Sequence, residues 1–137
     1  MYQKVLLAVD GSENAKRAAE EALKIISTET IVKVIYVADF NKVKTDILHT
    51  QSESSLLLQR KQKVAPIEQL LSLAHVTYQT EILHGSPSEE IVRFANQHAI
   101  DIIILGSRGL NTLQEFVIGS VSHKVLKTAK CPVLIVK

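Results

Sequence analysis

Two hydrophobic periods alternate along the chain. "KVLLAVD", from Lys4 to Asp10, is a short branched run that ends at Asp10-Gly11-Ser12. It is too short for a helix and apolar on both faces, as expected of a central parallel strand. "SENAKRAAEEALKII" then carries Ala15, Ala18, Ala19, Ala22, Leu23 and Ile26 at helical spacing. Ser12 is placed to cap that helix, and Glu13 suits its first turn. Thr30 to Asp39, "TIVKVIYVAD", reads as a second strand, and "FNKVKTDILHTQ" has no clear period and reads as a loop. A longer helical pattern runs from about Ser52 to Ala74. Pro66 lies inside it and predicts a kink or restart, because proline lacks the N–H and clashes with the preceding turn. Ile67, Leu70, Leu71 and Ala74 form an apolar stripe beyond it. Val76 to Gly85 alternates apolar and polar residues, the pattern of a half-exposed strand near a sheet edge. "SPSEEIVRFANQHA" opens with Ser86 as N-cap, Pro87 at the first helical position and Glu89 three residues after the cap. "IDIIILG" is a fourth strand, "GSVSHKVLKTAK" a helix and "PVLIVK" a closing strand.

The order is βαβαβαβαβ, and each crossover is long enough to hold a helix. Such crossovers make a parallel sheet with helices on both faces. The expected fold class is α/β: a five-stranded, mainly parallel, doubly wound sheet, with residues 1–137 forming a single domain. No internal repeat, linker or low-complexity segment interrupts it.

Composition narrows the function classes. The chain has 137 residues, 46% hydrophobic and 22% charged, ordinary values for a soluble domain. Aromatic residues make up only 4%, so the core must be aliphatic. The net charge is +2 and no basic patch is interleaved with aromatics, so nucleic acid is a poor partner. The densest basic stretch, "QRKQK" (Gln59 to Lys63), reads as the solvated face of a helix. Cys131 is the one cysteine, which fits a reducing compartment, and it reads as a buried, inert thiol. Met1 leads directly into "YQKVLLAVD" without a signal-like segment, and no run approaches the roughly 20 apolar residues of a membrane helix. The expectation is a cytoplasmic protein without membrane contact.

In open α/β sheets, ligands bind outside the carboxyl ends of the strands, where strand order reverses. The loops there are Asp10–Ser12, Val37–Asp39, Leu83–Ser86 and Gly106–Ser120. In the last, "GSRGLNTLQEFVIGSVSHK", Gly106 and Gly109 follow the fourth strand and Gly119-Ser120 opens a helix. Glycine lets backbone amides approach a ligand and accepts positive φ. The helix start favours an anion. Ser120 and Ser122 add hydroxyls and Arg108 a fixed positive charge, so the set could cradle phosphates. The same residues also read as plain turns and caps. Neither G-x-x-x-x-G-K-[ST] nor G-x-G-x-x-G after the first strand is present.

"LLAVDGS", "GSPSEEIV", "IIILGSRG" and "IGSVSHKVLKTAKCPVLIVK", in that order, resemble the universal stress protein family. The resemblance covers nearly the whole chain and is weakest from Phe40 to Gln62. The G-x2-G-x9-G-[ST] spacing of the family's ATP-binding members is matched by Gly106, Gly109, Gly119 and Ser120. The resemblance implies a Rossmann-like fold of the adenine nucleotide alpha hydrolase type and an adenine nucleotide across the strand ends. Ala8, Val9 and Asp10 would lie against the adenosine, with Asp10 near the ribose hydroxyls. Val37 would offer its backbone to the adenine edge. Leu105, Gly106, Arg108 and Gly109 would wrap ribose and phosphates, and Gly119, Ser120, Val121 and Ser122 would bind phosphate oxygens. Mg²⁺ or Mn²⁺ would accompany ATP, held by phosphates and water rather than by protein side chains. The family's closing strand commonly makes a homodimer, which carries over to Val133, Leu134, Ile135 and Val136. That run also reads as an apolar edge open to pairing.

The leading expectation is a nucleotide-binding stress or regulatory protein whose state or partner changes with ATP. No general base is placed to activate water, so efficient hydrolysis is not expected, and slow turnover stays open. The runner-up is a dimeric interaction protein without nucleotide. A phosphoacceptor domain is disfavoured, because "EILHG" has no Asp and Asp10 stands without an acidic neighbour. His84 and His123 read as surface or cap residues, and no Cys/His metal cluster exists.

Overall fold

The computed structural model of the chain describes residues 2–39, 53–107 and 118–137. Its elements are β1 (Lys4–Val9), α1 (Glu13–Ile25), β2 (Ile31–Ala38), α2 (Glu53–Leu73), β3 (Thr77–His84), α3 (Pro87–Gln97), β4 (Ile102–Gly106), α4 (Ser120–Thr128) and β5 (Val133–Val136). The five strands form one sheet in the order β3-β2-β1-β4-β5, and every neighbouring pair is parallel. The chain therefore builds outward from β1 to β3, then returns to β4 on the other side of β1. The strand order reverses between β1 and β4. The expected loop from Phe40 to Gln51 lies outside the described residues.

Burial on both faces explains why the central runs are strands. Val5, Leu7 and Val9 join Ile102 and Ile104 in one core with the alanines of α1 and with Val64, Ile67 and Leu71 of α2. Leu6, Ala8, Ile103 and Leu105 point the other way, into a second core with Ile91, Phe94 and Ala95 of α3 and Val125 of α4. Each large aliphatic buried there contributes about 1.5–3 kcal/mol relative to exposure. At the β3 edge the residues alternate between exposed and half-buried, as their sequence pattern predicts.

Helix ends follow the sequence signals in part. Ser12 caps α1, its Oγ accepting the Ala15 N–H at 3.2 Å. Ser86 stands at the N-cap of α3, but its side chain makes no capping bond there, and Pro87 alone pre-sets the first turn. The restart expected at Pro66 does not occur: α2 is one helix through it. Val64, Ile67 and Leu71, on either side of the proline, bury into the same core and keep the helix continuous. The carbonyl that loses its partner belongs to exposed Gln62, where water can replace the bond. α2 and α3 both end with a non-glycine residue in the left-handed region, His75 at φ 58° and Ala99 at φ 51°. At each end a six-to-one bond closes the turn: Val76 N–H to Leu71 O at 3.0 Å, and Ile100 N–H to Ala95 O at 3.1 Å.

At the opposite end of the sheet from the β1–α1 turn, Asp101 ties β4 to β1. One carboxylate oxygen accepts the N–H groups of Gln3 and Lys4, each at 2.9 Å. The Lys4 amide foremost, then that of Gln3, holds the carboxyl below its usual pKa.

Ala99→Gly removes the Cβ penalty of the left-handed cap and raises stability by about 1 kcal/mol in urea unfolding. For Asp101, the depressed pKa means stability is present above the unfolded value near 3.9 and is lost as pH falls through the lower folded value. Asp101→Ala is therefore less stable than wild type at pH 7, and the difference shrinks in unfolding curves taken below about pH 4.

Candidate functional site

The sheet opens where its strand order reverses. β1 pairs with β4 only from Val5↔Ile102 to Leu7↔Ile104. Yet β1 runs on to Val9, paired with Tyr36 of β2, and β4 runs on to Gly106, paired with Val136 of β5. Ala8 and Val9 on one side and Leu105 and Gly106 on the other thus reach the rim without pairing to each other. β2 extends further still: Val37 pairs with Leu83 and Ala38 with His84, beyond the last β1–β2 pair. The backbone of Val37 facing β1 is free of that ladder, and its side chain packs into the core on the α3 and α4 face.

One hydrogen bond brings the start of α4 to this rim. The Gly119 N–H donates to Ser107 O at 2.6 Å, and the Ser107 N–H donates to Val136 O at 2.7 Å. Gly119 is the N-cap of α4, in extended conformation and with no side-chain cap. The first-turn amides, those of Ser120, Val121 and Ser122, have no intrahelical partner by helix geometry. The first helical bond runs from His123 N–H to Gly119 O at 2.9 Å. Ser120 is exposed and Val121 half-buried. Ser122 differs from its expected role: it is 3% exposed, and its hydroxyl donates to Gly106 O at 2.6 Å. That proton fastens α4 to the end of β4, so what Ser122 can offer an anion is its main-chain amide. Arg108 and Gly109 lie outside the described residues.

On the β1 side, Asp10 shapes its own loop. Its Oδ1 accepts the Ser12 N–H at 2.9 Å and the Ser12 hydroxyl, while Oδ2 accepts no bond among the described residues. Gly11 follows at φ +85°, a conformation that favours glycine. Lys63 of α2 lays its methylenes against Gly11, within 3.1 Å of where a Cβ would stand. Its ammonium lies 3.4 Å from the Tyr36 hydroxyl. "QRKQK" is thus more than a solvated face: Lys63 reaches the rim, and Arg60 donates to His84 Nε2 at 2.8 Å. Nothing in the local sequence signals either contact, because both depend on how α2 docks.

Gly106 needs a different explanation from ligand approach or positive φ. A Cβ there would stand 2.7 Å from Asn14 Cβ and 2.9 Å from the Asn14 carbonyl carbon. The first turn of α1 presses directly on the end of β4. Asn14 and Ser107 were not among the sequence-predicted site residues, yet the Asn14 side-chain amide donates to Ser107 Oγ at 3.2 Å. Among the described residues, no group of three or more His, Cys, Asp or Glu could hold a metal. Cys131 is half-buried rather than buried, and burial pushes its thiol pKa up, which keeps it protonated. No described helix is long and apolar enough to cross a membrane.

The sequence profile of the universal stress protein family matches residues 1–137. The chain belongs to that family. It is 33% identical to universal stress protein MJ0531 of Methanocaldococcus jannaschii, over 100% of this chain and 83% of that protein. The solved structure of MJ0577 superposes with a TM-score of 0.88 at 32% identity, covering 100% of this chain and 96% of the other. MJ0577 is itself a universal stress protein of Methanocaldococcus jannaschii. Two more distant universal stress protein structures share the fold. One, in complex with cAMP, has 21% identity, a TM-score of 0.70 and coverage of 98% of this chain and 96% of that one. The other, from Arabidopsis thaliana with AMP bound, has 22% identity, a TM-score of 0.71 and coverage of 98% and 91%.

In this universal stress protein, the end of β4 packs against α1 with no room for a side chain at position 106 unless its neighbours shift. Gly106→Ala forces a methyl into the Asn14 backbone and costs about 1–3 kcal/mol, read as a lower urea midpoint with unchanged slope.

Proposed function

We propose that this universal stress protein binds an adenine nucleotide, ATP with Mg²⁺ or Mn²⁺, across the rim between β1 and β4. The observation that carries the reading is the early end of the β1–β4 ladder, opposite an α4 N-terminus tied to the same rim through Ser107. Free first-turn amides and the helix dipole favour an anion there. The AMP and cAMP complexes of fold relatives support an adenine nucleotide as the ligand class.

In this reading Ala8, Val9 and Asp10 meet the adenosine, with Asp10 Oδ2 as the acceptor for a ribose hydroxyl. The Val37 backbone meets the base. Leu105 and Gly106 flank the ribose, joined by Arg108 and Gly109. The amides of Gly119, Ser120, Val121 and Ser122 line the phosphate side, together with the Ser120 hydroxyl; that of Gly119 is already shared with Ser107. The divalent ion rests on phosphates and water. The role is regulatory: ATP biases the state or partner of a cytoplasmic homodimer joined through Val133–Val136. Binding, not efficient turnover, is the assigned activity. A dimeric protein that acts without nucleotide is the second reading, favoured by the same half-buried apolar edge of β5.

Calorimetry with Mg-ATP, together with a nucleotide assay on denatured protein, tests the first reading. Measurable affinity or retained nucleotide is expected, and absence of both shifts the assignment to the second. Gly119→Val is the companion variant. Position 119 has φ −61° and ψ 157°, backbone that any residue adopts, and circular dichroism checks that the variant folds. The branched side chain at the helix mouth raises the ATP Kd by at least ~tenfold. Native mass measurement reads the dimer.

A further inference from the structure

The buried residues of α1 are all alanine except one. Ala15, Ala18, Ala19 and Ala22 are buried, and so is Asn14, at 5% exposure. An alanine at 14 would present the same Cβ to Gly106. The amide therefore does something that packing against β4 does not require. Burying it is costly unless both of its ends are bonded. They are: Oδ1 accepts from the Arg17 guanidinium, and Nδ2 donates to Ser107 Oγ. Arg17 in turn donates through Nε to Lys137 O at 2.9 Å.

Ser107 is where these ties meet. Its hydroxyl accepts from Asn14, its N–H holds Val136 of β5, and its carbonyl receives the Gly119 N–H that begins α4. Asn14 stands two residues after Ser12, whose backbone and hydroxyl fix the Asp10 carboxylate. One amide thus spans the reversal point. It links the loop that carries Asp10 to the residue from which the N-terminus of α4 hangs.

We infer that Asn14 is a positioning residue for the phosphate side of the nucleotide site, acting through Ser107 to set where the α4 amides stand relative to Asp10. The inference rests on the proposed nucleotide binding. It differs from a purely structural role because a stability defect alone leaves the affinity of the folded protein unchanged. A positioning role weakens contacts to the phosphates and spares those to the nucleoside.

The test uses Asn14→Ala, which keeps the Cβ against Gly106, then Ser107→Ala and the double variant, each checked for folding by circular dichroism. Calorimetry measures Mg-ATP, and displacement of ATP measures adenosine. Each single variant is expected to weaken ATP about tenfold and adenosine less than about twofold. The double variant is expected to be no weaker than Asn14→Ala, since all three lose the same Asn14–Ser107 bond and only the change at 14 also releases Arg17. Ser107→Thr keeps the hydroxyl and stays near the wild-type ATP affinity. Should Asn14→Ala fail to fold, Ser107→Ala and Ser107→Thr decide the matter alone. Equal losses for ATP and adenosine, additive losses in the double variant, or unchanged ATP affinity each overturn the positioning role. A wild-type protein that binds no ATP overturns the nucleotide reading itself, which is a separate and recognisable result.

Discussion

The interaction on which the rest of the structure depends is the burial of β1 and β4 on both faces. Val5, Leu6, Leu7, Ile103 and Ile104 are fully withdrawn from water. A strand apolar on both sides needs a cover on each, so α1 and α2 close one face and α3 and α4 the other. That requirement forces the crossovers, and right-handed crossovers then decide the order of strands. The reversal between β1 and β4 is a consequence of this packing.

The rim follows from the same constraint, sharpened by the small size of the α1 stripe. Alanines let α1 approach the sheet closely, and at its first turn the approach is so close that β4 must carry glycine at 106. The glycine that resembles part of a ligand loop is thus first a packing solution. Ser107, one residue on, leaves the sheet and gathers bonds from α1, β5 and α4. A packing contact and a cluster of polar bonds lie side by side, and both fix the distance across the opening.

Among the described residues, the polar character of the rim comes mainly from backbone rather than from charged side chains. The amides at the start of α4, the Val37 backbone beyond the β1–β2 ladder and the Asp10 oxygen that accepts no bond among the described residues supply direction. Lys63 adds a cation that its own helix pattern does not announce. Such a site is compatible with a modest net charge of +2, since a helix start favours an anion without a basic surface.

How much of this was legible in advance depends on range. Periodicity marked every described strand and helix, because a two-residue or 3.6-residue repeat of burial is written into the chain itself. The alternation of Thr77–His84 marked an edge, and Ser12 marked a cap. The resemblance of the glycine spacing and the closing strand pointed to the universal stress protein family, to which the chain belongs. What failed was decided by contacts between distant segments. Of the kink or restart expected at Pro66, the restart did not occur, because side chains on both sides of it share one core. Ser86 takes the expected N-cap position, though without a side-chain bond, and the Ser122 hydroxyl turns inward to Gly106 O. Gly106 is crowded by Asn14, 92 positions away in the chain, and Lys63 reaches Gly11 only because α2 docks beside α1. The sequence by itself determined the elements, their order and the loops at the strand ends, since these rest on local periodicity and chain direction. Only the tertiary structure decided which polar groups meet at the rim, because hydrogen bonds between Asn14, Ser107 and Gly119 depend on distances that no local pattern encodes.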